Sequence, residues 1–293
     1  MPHLAMLLKL IYDITCQLVL LMPRCGGRCF ERNMAINMDK AQGKTGVSGS
    51  TLKIIAVACM LIDHTAAVLL GHILVDNGIY SVADFSFGYM QELIQASSIG
   101  WVYFAYQVMR RIIGRMAFPI YCFLLIEGFE KTKNRLKYAG RLLVFALISE
   151  IPFDLAQNGE AFYPYYQNVF FTLFIGLVMI WLMEKIERRC QNLIFRLTLW
   201  AAVFLAASVL AELVYCDYGA HGTIAIALLY LFRKNKLEQM IAGCIAFLWE
   251  ITAPFAFVFI ALYNGKRGIR LKYFFYIFYP AHLLVLYLLT WIL

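Results

Sequence analysis

The sequence predicts an all-α protein, a polytopic bundle of about nine transmembrane helices, some of them short or broken. Hydrophobic residues make up 62% of the chain and charged residues only 15%, whereas soluble globular proteins average about 45–50% and about 25%. The mean hydropathy is +0.70. Several apolar stretches approach the roughly 20 residues that a helix needs to cross a bilayer. We therefore expect a lipid bilayer to surround most of this chain.

The first fifty residues differ from the rest, so we predict two parts, residues 1–50 and residues 51–293. Residues 4–22 are apolar and form either an extra helix or an anchor, and a polar linker follows them. Met34 and Met38 offer alternative starts just before that linker. The regular series of apolar segments begins after it, so the second part is the predicted transmembrane domain.

The predicted spans alternate with short connections from residue 52 onwards. Residues 75–110 form a longer, mixed connection that could hold an interfacial helix. Residues 237–263 must cross and return with about 13–14 residues each way, near 20 Å at 1.5 Å per residue. Either the two helices of this segment extend into the flanking residues, or the segment forms a re-entrant hairpin. The predicted spans are 52–74, 111–129, 138–157, 168–184, 195–215, 218–232, 237–250, 252–264 and 272–292.

The net charge of +8 lies mostly in short loops. Basic loops mark the cytoplasmic side of a membrane protein, so we expect a multi-pass membrane protein with these loops in the cytoplasm. Arg110 and Arg111 are exceptions near the predicted outer face. Topology explains the charge, and we do not expect nucleic acid as a partner. The basic connections are 131–137, 185–196, 233–236 and 266–272.

The eight cysteines do not predict a metal centre. Cys25 and Cys29 form one C-x3-C pair, whereas a structural zinc site needs further ligands at matching spacing. Most of the others lie within apolar segments, where a free cysteine behaves as a small hydrophobic residue.

Ionisable residues inside the predicted spans are the candidates for function, because burying them in a bilayer is costly. His64 lies eleven residues after Lys53, about 16 Å into its span, and His282 lies ten residues after Lys272, about 15 Å in. The two histidines should therefore reach a similar depth. An imidazole can serve as a general base near neutral pH, although each ring could also be a hydrogen-bonded core residue.

The remaining candidates are carboxylates, amides and one guanidinium. Asp63 adjoins His64 and could pair with Arg115, which could instead bind an anionic group or hold Glu150 or Asp154. Glu150 and Asp154 are four residues apart and share a helix face. Gln167 and Asn168 open a span, where asparagine is a common N-cap. Our catalytic candidates are His64, Arg115 and Asp63, and our substrate-binding candidates are Lys53, Glu150, Asp154, Gln167, Asn168 and His282.

Seven segments, taken in order, resemble the TraX family of conjugal transfer proteins. The resemblance runs from about residue 52 to the end of the chain and leaves out the first fifty residues. The segments are LIDH at 61–64, GRMAFPI at 114–120, SEIPFD at 149–154, QNVFFT at 167–172, DYG at 217–219, LYNGKRG at 262–268 and YPAH at 279–282.

The resemblance implies a membrane acetyltransferase that uses acetyl-CoA, because the activity named for the family is N-acetylation of the amino terminus of F-type pilin. Lys53-x10-His64 also resembles the basic-x10-His motif of the type-3 membrane acyltransferase superfamily, which implies that His64 is catalytic. The expected reaction moves an acetyl group from cytoplasmic acetyl-CoA to an amine or hydroxyl of a pilin-like peptide or a cell-surface molecule such as a glycan, either directly or through a His-linked acetyl group. The alternative is a secondary transporter for a small ion or metabolite.

Overall fold

The computed structural model describes residues 46–80, 85–269 and 272–293, and this part of the chain is helical. Its only extended pairings are two isolated bridges, Val47 with Tyr263 and Gln167 with Cys216. The predicted N-terminal helix or anchor lies outside the described residues. The chain from Val47 to Leu293 forms one compact unit.

Twelve α-helices can be distinguished within the described ranges, and three short π or 3-10 segments join some of them end to end. The α-helices are α1 (Gly49–Thr65), α2 (Gly71–Asp76), α3 (Phe87–Ala96), α4 (Ile99–Val108), α5 (Ala117–Lys131), α6 (Arg135–Asn158), α7 (Val169–Arg189), α8 (Leu193–Leu213), α9 (Gly219–Leu231), α10 (Lys236–Ala246), α11 (Ala256–Ala261) and α12 (Lys272–Thr290).

The helix lengths and compositions are those of a multi-pass membrane protein. Five described helical segments are long and apolar enough to cross a bilayer, so the nine predicted spans are not confirmed. The 24-residue α6 has the length but carries more charged residues. The five segments are Gly49–Asp76, Ile99–Lys131, Val169–Arg189, Leu193–Leu213 and Tyr273–Thr290.

The connection predicted at residues 75–110 is largely helical. Helix α3 is a separate ten-residue helix, whereas α4 continues through the π-helical segment Met109–Ile113 and a 3-10 turn into α5. The predicted start of the second span at residue 111 is therefore twelve residues late. The polar residues Gln107, Arg110 and Arg111 concealed this continuity, because they lower the local hydropathy.

Residues 237–264 contain two short helices instead of two spans. Helices α10 and α11 have 11 and 6 residues, about 16 and 9 Å at 1.5 Å per residue, which is less than the roughly 30 Å hydrocarbon core. Turns and a 3-10 segment join them. Such lengths favour the hairpin interpretation.

The bundle has two chemically different ends, which fix the direction of each helix. At the basic end, Arg135 pairs with Glu184 at 2.7 Å and Lys131 donates to the Gly265 carbonyl oxygen at 2.9 Å. At the far end, the main-chain N–H of Gln167 donates to the Tyr215 carbonyl oxygen at 2.9 Å. Helix α7 therefore runs from the far end to the basic end, and α1 begins beside the basic loop at 265–267.

Candidate functional site

The two predicted histidines meet inside the bundle. His64 Nδ1 lies 2.7 Å from His282 Nε2, and the rings are nearly parallel, with centroids 5.0 Å apart. His64 is near the end of α1 and His282 is in the middle of α12. The sequence predicted a similar depth, and the structure adds direct contact between the rings.

A backbone carbonyl fixes which nitrogen carries each proton. His282 Nδ1 lies 2.8 Å from the carbonyl oxygen of Phe278, which can only accept, so His282 Nδ1 is the donor. In a neutral His282, Nε2 then has a lone pair and accepts from His64 Nδ1–H. A neutral His64 consequently has its remaining lone pair on Nε2. The Phe278 carbonyl and His282 together orient His64 so that it can act as a base. In nucleophile–base pairs, a third hydrogen-bonding group orients the histidine in the same way.

Aromatic rings hold the histidine pair in place. Phe278 stacks on His282 at 4.9 Å between ring centroids. Tyr279 meets both histidines edge-on, 5.9 Å from His64 and 5.7 Å from His282. Only 3% of Tyr279 is exposed. Its placement follows from helix geometry, since residues three apart on α12 share a face.

A cavity of about 350 Å³ leads from the basic end towards the histidine pair. This volume is within the range of small-molecule sites, about 300–1,000 Å³. The cavity follows α1 from Gly49 to Met60, about 16 Å at 1.5 Å per residue. Met60 lies one helical turn before His64, and Tyr279 also lines the cavity. We call this the basic-end cavity, and its deepest lining residues adjoin the histidine pair.

Four basic side chains line the basic-end cavity, and three of them are not neutralised. Lys131 pairs with Glu127 at 2.6 Å. Lys53, Arg141 and Arg267 form no ion pair with any described residue, although Lys53 lies over the Phe275 ring and Arg141 over the Tyr138 ring. A partly buried, uncompensated positive charge favours an anionic ligand. The basic side chains at the cavity mouth are therefore suited to binding phosphate groups.

The Lys53-x10-His64 spacing places the two residues on one face of α1. At about 100° per residue, positions 53, 60 and 64 fall within roughly 40° of one another on α1. Lys53 and Met60 both line the basic-end cavity, and His64 continues the same stripe by one turn. The motif thus places a cation at the mouth and an imidazole beyond the deep end of one cavity.

Asp63 and Arg115 have different partners from those we expected. Asp63 lies 3.8 Å from Arg110, and Arg115 lies 3.3 Å from Glu250. Arg110 belongs to the π-helical segment Met109–Ile113, and such segments frequently occur at functional sites. Gly114 allows the close approach, because a Cβ atom there would overlap the Asp63 side chain.

Glu150, Asp154 and Asn168 make local structural contacts near the far end. Asn168 caps α7 by accepting from the Phe170 N–H at 3.0 Å, and its amide donates to Glu150. Asp154 accepts from the Tyr163 N–H at 2.8 Å. Gln167 joins this region to the loop at 214–218 through main-chain hydrogen bonds. These contacts hold α6, α7 and that loop together.

A second pocket, of about 360 Å³, lies at the far end. Arg115, Asp217 and Trp249 line it. Asp217 accepts from the Tyr166 hydroxyl at 3.1 Å, and burial raises the pKa of its carboxyl to about 6. The structure therefore places Arg115 with the far-end pocket, and Lys53 with the basic-end cavity.

Sequence reasoning did not single out Arg110, Arg141 or Tyr279. Arg110 was treated as a topological exception, although an intramembrane charge is itself a signal. Arg141 lies six residues into α6 and inside the predicted span at 138–157, yet it was not among our candidates. Tyr279 was noted only within the YPAH segment at 279–282, without a role of its own, and hydropathy offers no signal that separates it from the other aromatic residues.

The comparisons with known proteins agree on one family. A family model described as TraX protein matches residues 48–290. The probable fimbrial assembly protein FimC, serogroup H1, of Dichelobacter nodosus is 28% identical over 269 residues, which cover 82% of this chain and 94% of that protein. No solved structure matches the chain. Because the family model covers most of the sequence, this chain belongs to the TraX family.

Proposed function

We propose that this protein is a membrane acetyltransferase that takes acetyl-CoA from the cytoplasm through the basic-end cavity and acetylates an amine or hydroxyl. The observation that carries the proposal is the orientation of His64 by His282 and the Phe278 carbonyl, just beyond the deep end of that cavity. A base fixed in one tautomer beside a cation-lined cavity has the parts that acyl transfer needs.

The basic-end cavity supplies recognition of the donor. Lys53, Arg141 and Arg267 would contact phosphate oxygens near the mouth, and the apolar wall beyond them would take the pantetheine arm. The depth of about 16 Å along α1 brings the thioester to within about one helical turn of His64. The proposal requires the basic end to face the cytoplasm, where acetyl-CoA is present.

The transfer is a direct displacement at the thioester carbonyl. His64 Nε2 takes the proton of the acceptor as its nitrogen or oxygen forms a bond to the carbonyl carbon. The carbon–sulfur bond then breaks, and the departing thiolate takes the proton from the His64 imidazolium. His282 keeps Nδ1 of His64 occupied throughout, so that Nε2 is the nitrogen that exchanges the proton.

The acceptor approaches from the far end in this proposal. The far-end pocket adjoins Arg115, which also forms a hydrogen bond with Tyr218. The fimbrial assembly role in the name of the Dichelobacter nodosus relative makes a pilin-like peptide the first acceptor to test. Glu150, Asp154, Gln167 and Asn168 support the loop that borders this pocket.

A secondary transporter is the second candidate, and the broken segment between α10 and α11 favours it. Glu250 lies in that segment and pairs with Arg115, and discontinuous helices with buried charges form the substrate sites of many transporters. The short helices and the ion pair would then move together between two states.

The experiment uses the purified protein in detergent with radiolabelled acetyl-CoA. Binding and label transfer or hydrolysis are measured for the wild type and for His64→Ala, with retained folding checked by size-exclusion profile and thermal unfolding. The proposal expects binding by both proteins and turnover only by the wild type. Absence of acetyl-CoA binding by a folded wild type would shift the interpretation to transport.

A further inference from the structure

We propose that the ring of Tyr279 closes the deep end of the basic-end cavity and restricts the transferred acyl group to about the size of acetyl. This inference rests on the proposed function and adds the residue that sets donor specificity. Tyr279 lines the cavity and also contacts both histidines edge-on, so its ring borders both the ligand space and the catalytic pair.

The ring is held on several sides and so acts as a rigid stop. Tyr279 is 3% exposed, and it packs in one cluster with Phe153 and Leu283, which are 2% and 0% exposed. Phe170 meets the ring edge-on at 4.9 Å. The Tyr279 hydroxyl is hydrogen-bonded to the Val169 amide at the start of α7. Side chains packed in this way cannot yield to extra methylene groups without strain.

Met60 packs in the same cluster as Tyr279 and lies one turn before His64. It is 7% exposed, lines the cavity, and its sulfur lies 3.9 Å from the hydroxyl of Tyr121. A thioester carbonyl next to His64 would direct its acyl chain into the space between Met60 and Tyr279. His64 is only about 6 Å, one turn, beyond Met60, and we expect the space between Met60 and Tyr279 to suit a methyl group better than a longer chain.

The consequence is discrimination by chain length. One extra methylene against a closed apolar wall changes relative rates by roughly 10–200-fold. The wild type should therefore use acetyl-CoA at least about tenfold better, as kcat/KM, than butyryl-CoA. Removal of the ring should weaken this preference, whereas removal of the hydroxyl alone should preserve it.

The test compares acetyl-CoA, butyryl-CoA and hexanoyl-CoA with the wild type, Tyr279→Phe, Tyr279→Ala and Met60→Ala. Turnover gives the ratio of kcat/KM values, and competition against bound acetyl-CoA gives relative affinities even for a variant that has lost activity. The expected result is acetyl selectivity in the wild type and Tyr279→Phe, and a loss of at least about tenfold in selectivity in Tyr279→Ala or Met60→Ala.

Four outcomes overturn the inference in different ways. A wild type that uses or binds hexanoyl-CoA as well as acetyl-CoA has no stop at this depth. Unchanged selectivity in both alanine variants would place the stop elsewhere, and altered selectivity in Tyr279→Phe would assign it to the hydroxyl. A folded wild type that neither binds nor consumes acetyl-CoA contradicts the proposed function itself, and the inference with it.

Discussion

His64 Nδ1 and His282 Nε2 lie 2.7 Å apart although 218 positions separate the two residues. The second hydrogen bond of His282, to the Phe278 carbonyl oxygen at 2.8 Å, gives this contact a direction. In the proposed reaction the pair therefore acts as one unit, in which His64 exchanges the proton and His282 orients His64.

A double-mutant cycle tests whether the histidines act as a unit. His64→Ala should lower kcat by roughly 10²–10⁴-fold, the usual contribution of a general base. His282→Ala should lower kcat by a smaller factor and leave the KM for acetyl-CoA nearly unchanged. The double variant should be no slower than His64→Ala, because residues that act together are not additive. Independent, multiplying losses would show that His282 has a separate role.

The unpaired cations of the basic-end cavity should recognise donor phosphates. Lys53→Met and Arg141→Met should each weaken binding of coenzyme A about tenfold and reduce its dependence on salt, because each removes a charge–phosphate contact. Binding of pantetheine, which lacks the phosphates, should change little. Isothermal titration in detergent provides both affinities.

Lys185→Met is the matched control for that series. Lys185 is an exposed lysine that lies over the Trp181 ring, away from the cavity lining. Its replacement should leave the affinity for coenzyme A unchanged. An equal loss of affinity in the control and the cavity variants would show that the loss arises from the change in overall net charge.

Gly114 should be intolerant of a side chain because Asp63 occupies the space beside it. Gly114→Ala forces the Asp63 side chain away from Arg110, and we expect a loss of about 1–3 kcal/mol in stability, visible as a lower unfolding temperature. Gly140→Ala is the control, since no atom lies within 4 Å of a Cβ atom at that position in α6. That variant should be neutral or more stable by up to about 1 kcal/mol. Equal unfolding temperatures for the two variants would contradict the close contact.

Asp217 should make stability fall as the pH rises. Burial raises the pKa of its carboxyl to about 6 and outweighs the attraction of Arg115 and Arg110, whereas an unfolded aspartate titrates near 3.9. Between about pH 4 and pH 6 the folded state thus binds more protons than the unfolded state, and it loses stability across that window.

The check is the unfolding temperature at a series of pH values between 4 and 7. Asp217→Asn should flatten the decrease in this window, because the amide stays neutral while it retains an oxygen that can accept from Tyr166. A wild type whose stability rises over the same window would show that Asp217 is charged and favourably paired in the fold.

The sequence predicted the parts of the fold that depend on local hydropathy and charge. The spans that became α7, α8 and α12 were placed within a few residues, because their apolar stretches are continuous and basic residues bound most of them. The helix from Ile99 to Lys131 was predicted to begin twelve residues too late, since a partly buried arginine resembles a loop residue until its partner, Asp63, is known. The two halves of residues 237–264 are each too short to cross a bilayer, and their lengths in the sequence already indicated this.

Contacts between distant helices could not be predicted in the same way. The depth of His64 and His282 follows from counting residues, but their contact depends on how α1 and α12 rotate and pack. Arg115 pairs with Glu250, a residue from a turn between two short helices, whereas the sequence offered Asp63, Glu150 and Asp154. When several carboxylates are plausible partners for one arginine, the sequence alone does not specify which of them pairs with it.

The most direct test of the central claim is chemical rescue of His64→Ala by free imidazole, measured as release of radiolabelled acetyl groups from acetyl-CoA by folded protein in detergent. The account predicts an active wild type, an inactive variant that still binds acetyl-CoA, and partial recovery of the variant's rate as imidazole is added. Activity of His64→Ala equal to that of the wild type, without imidazole, would contradict the assignment of His64 as the base.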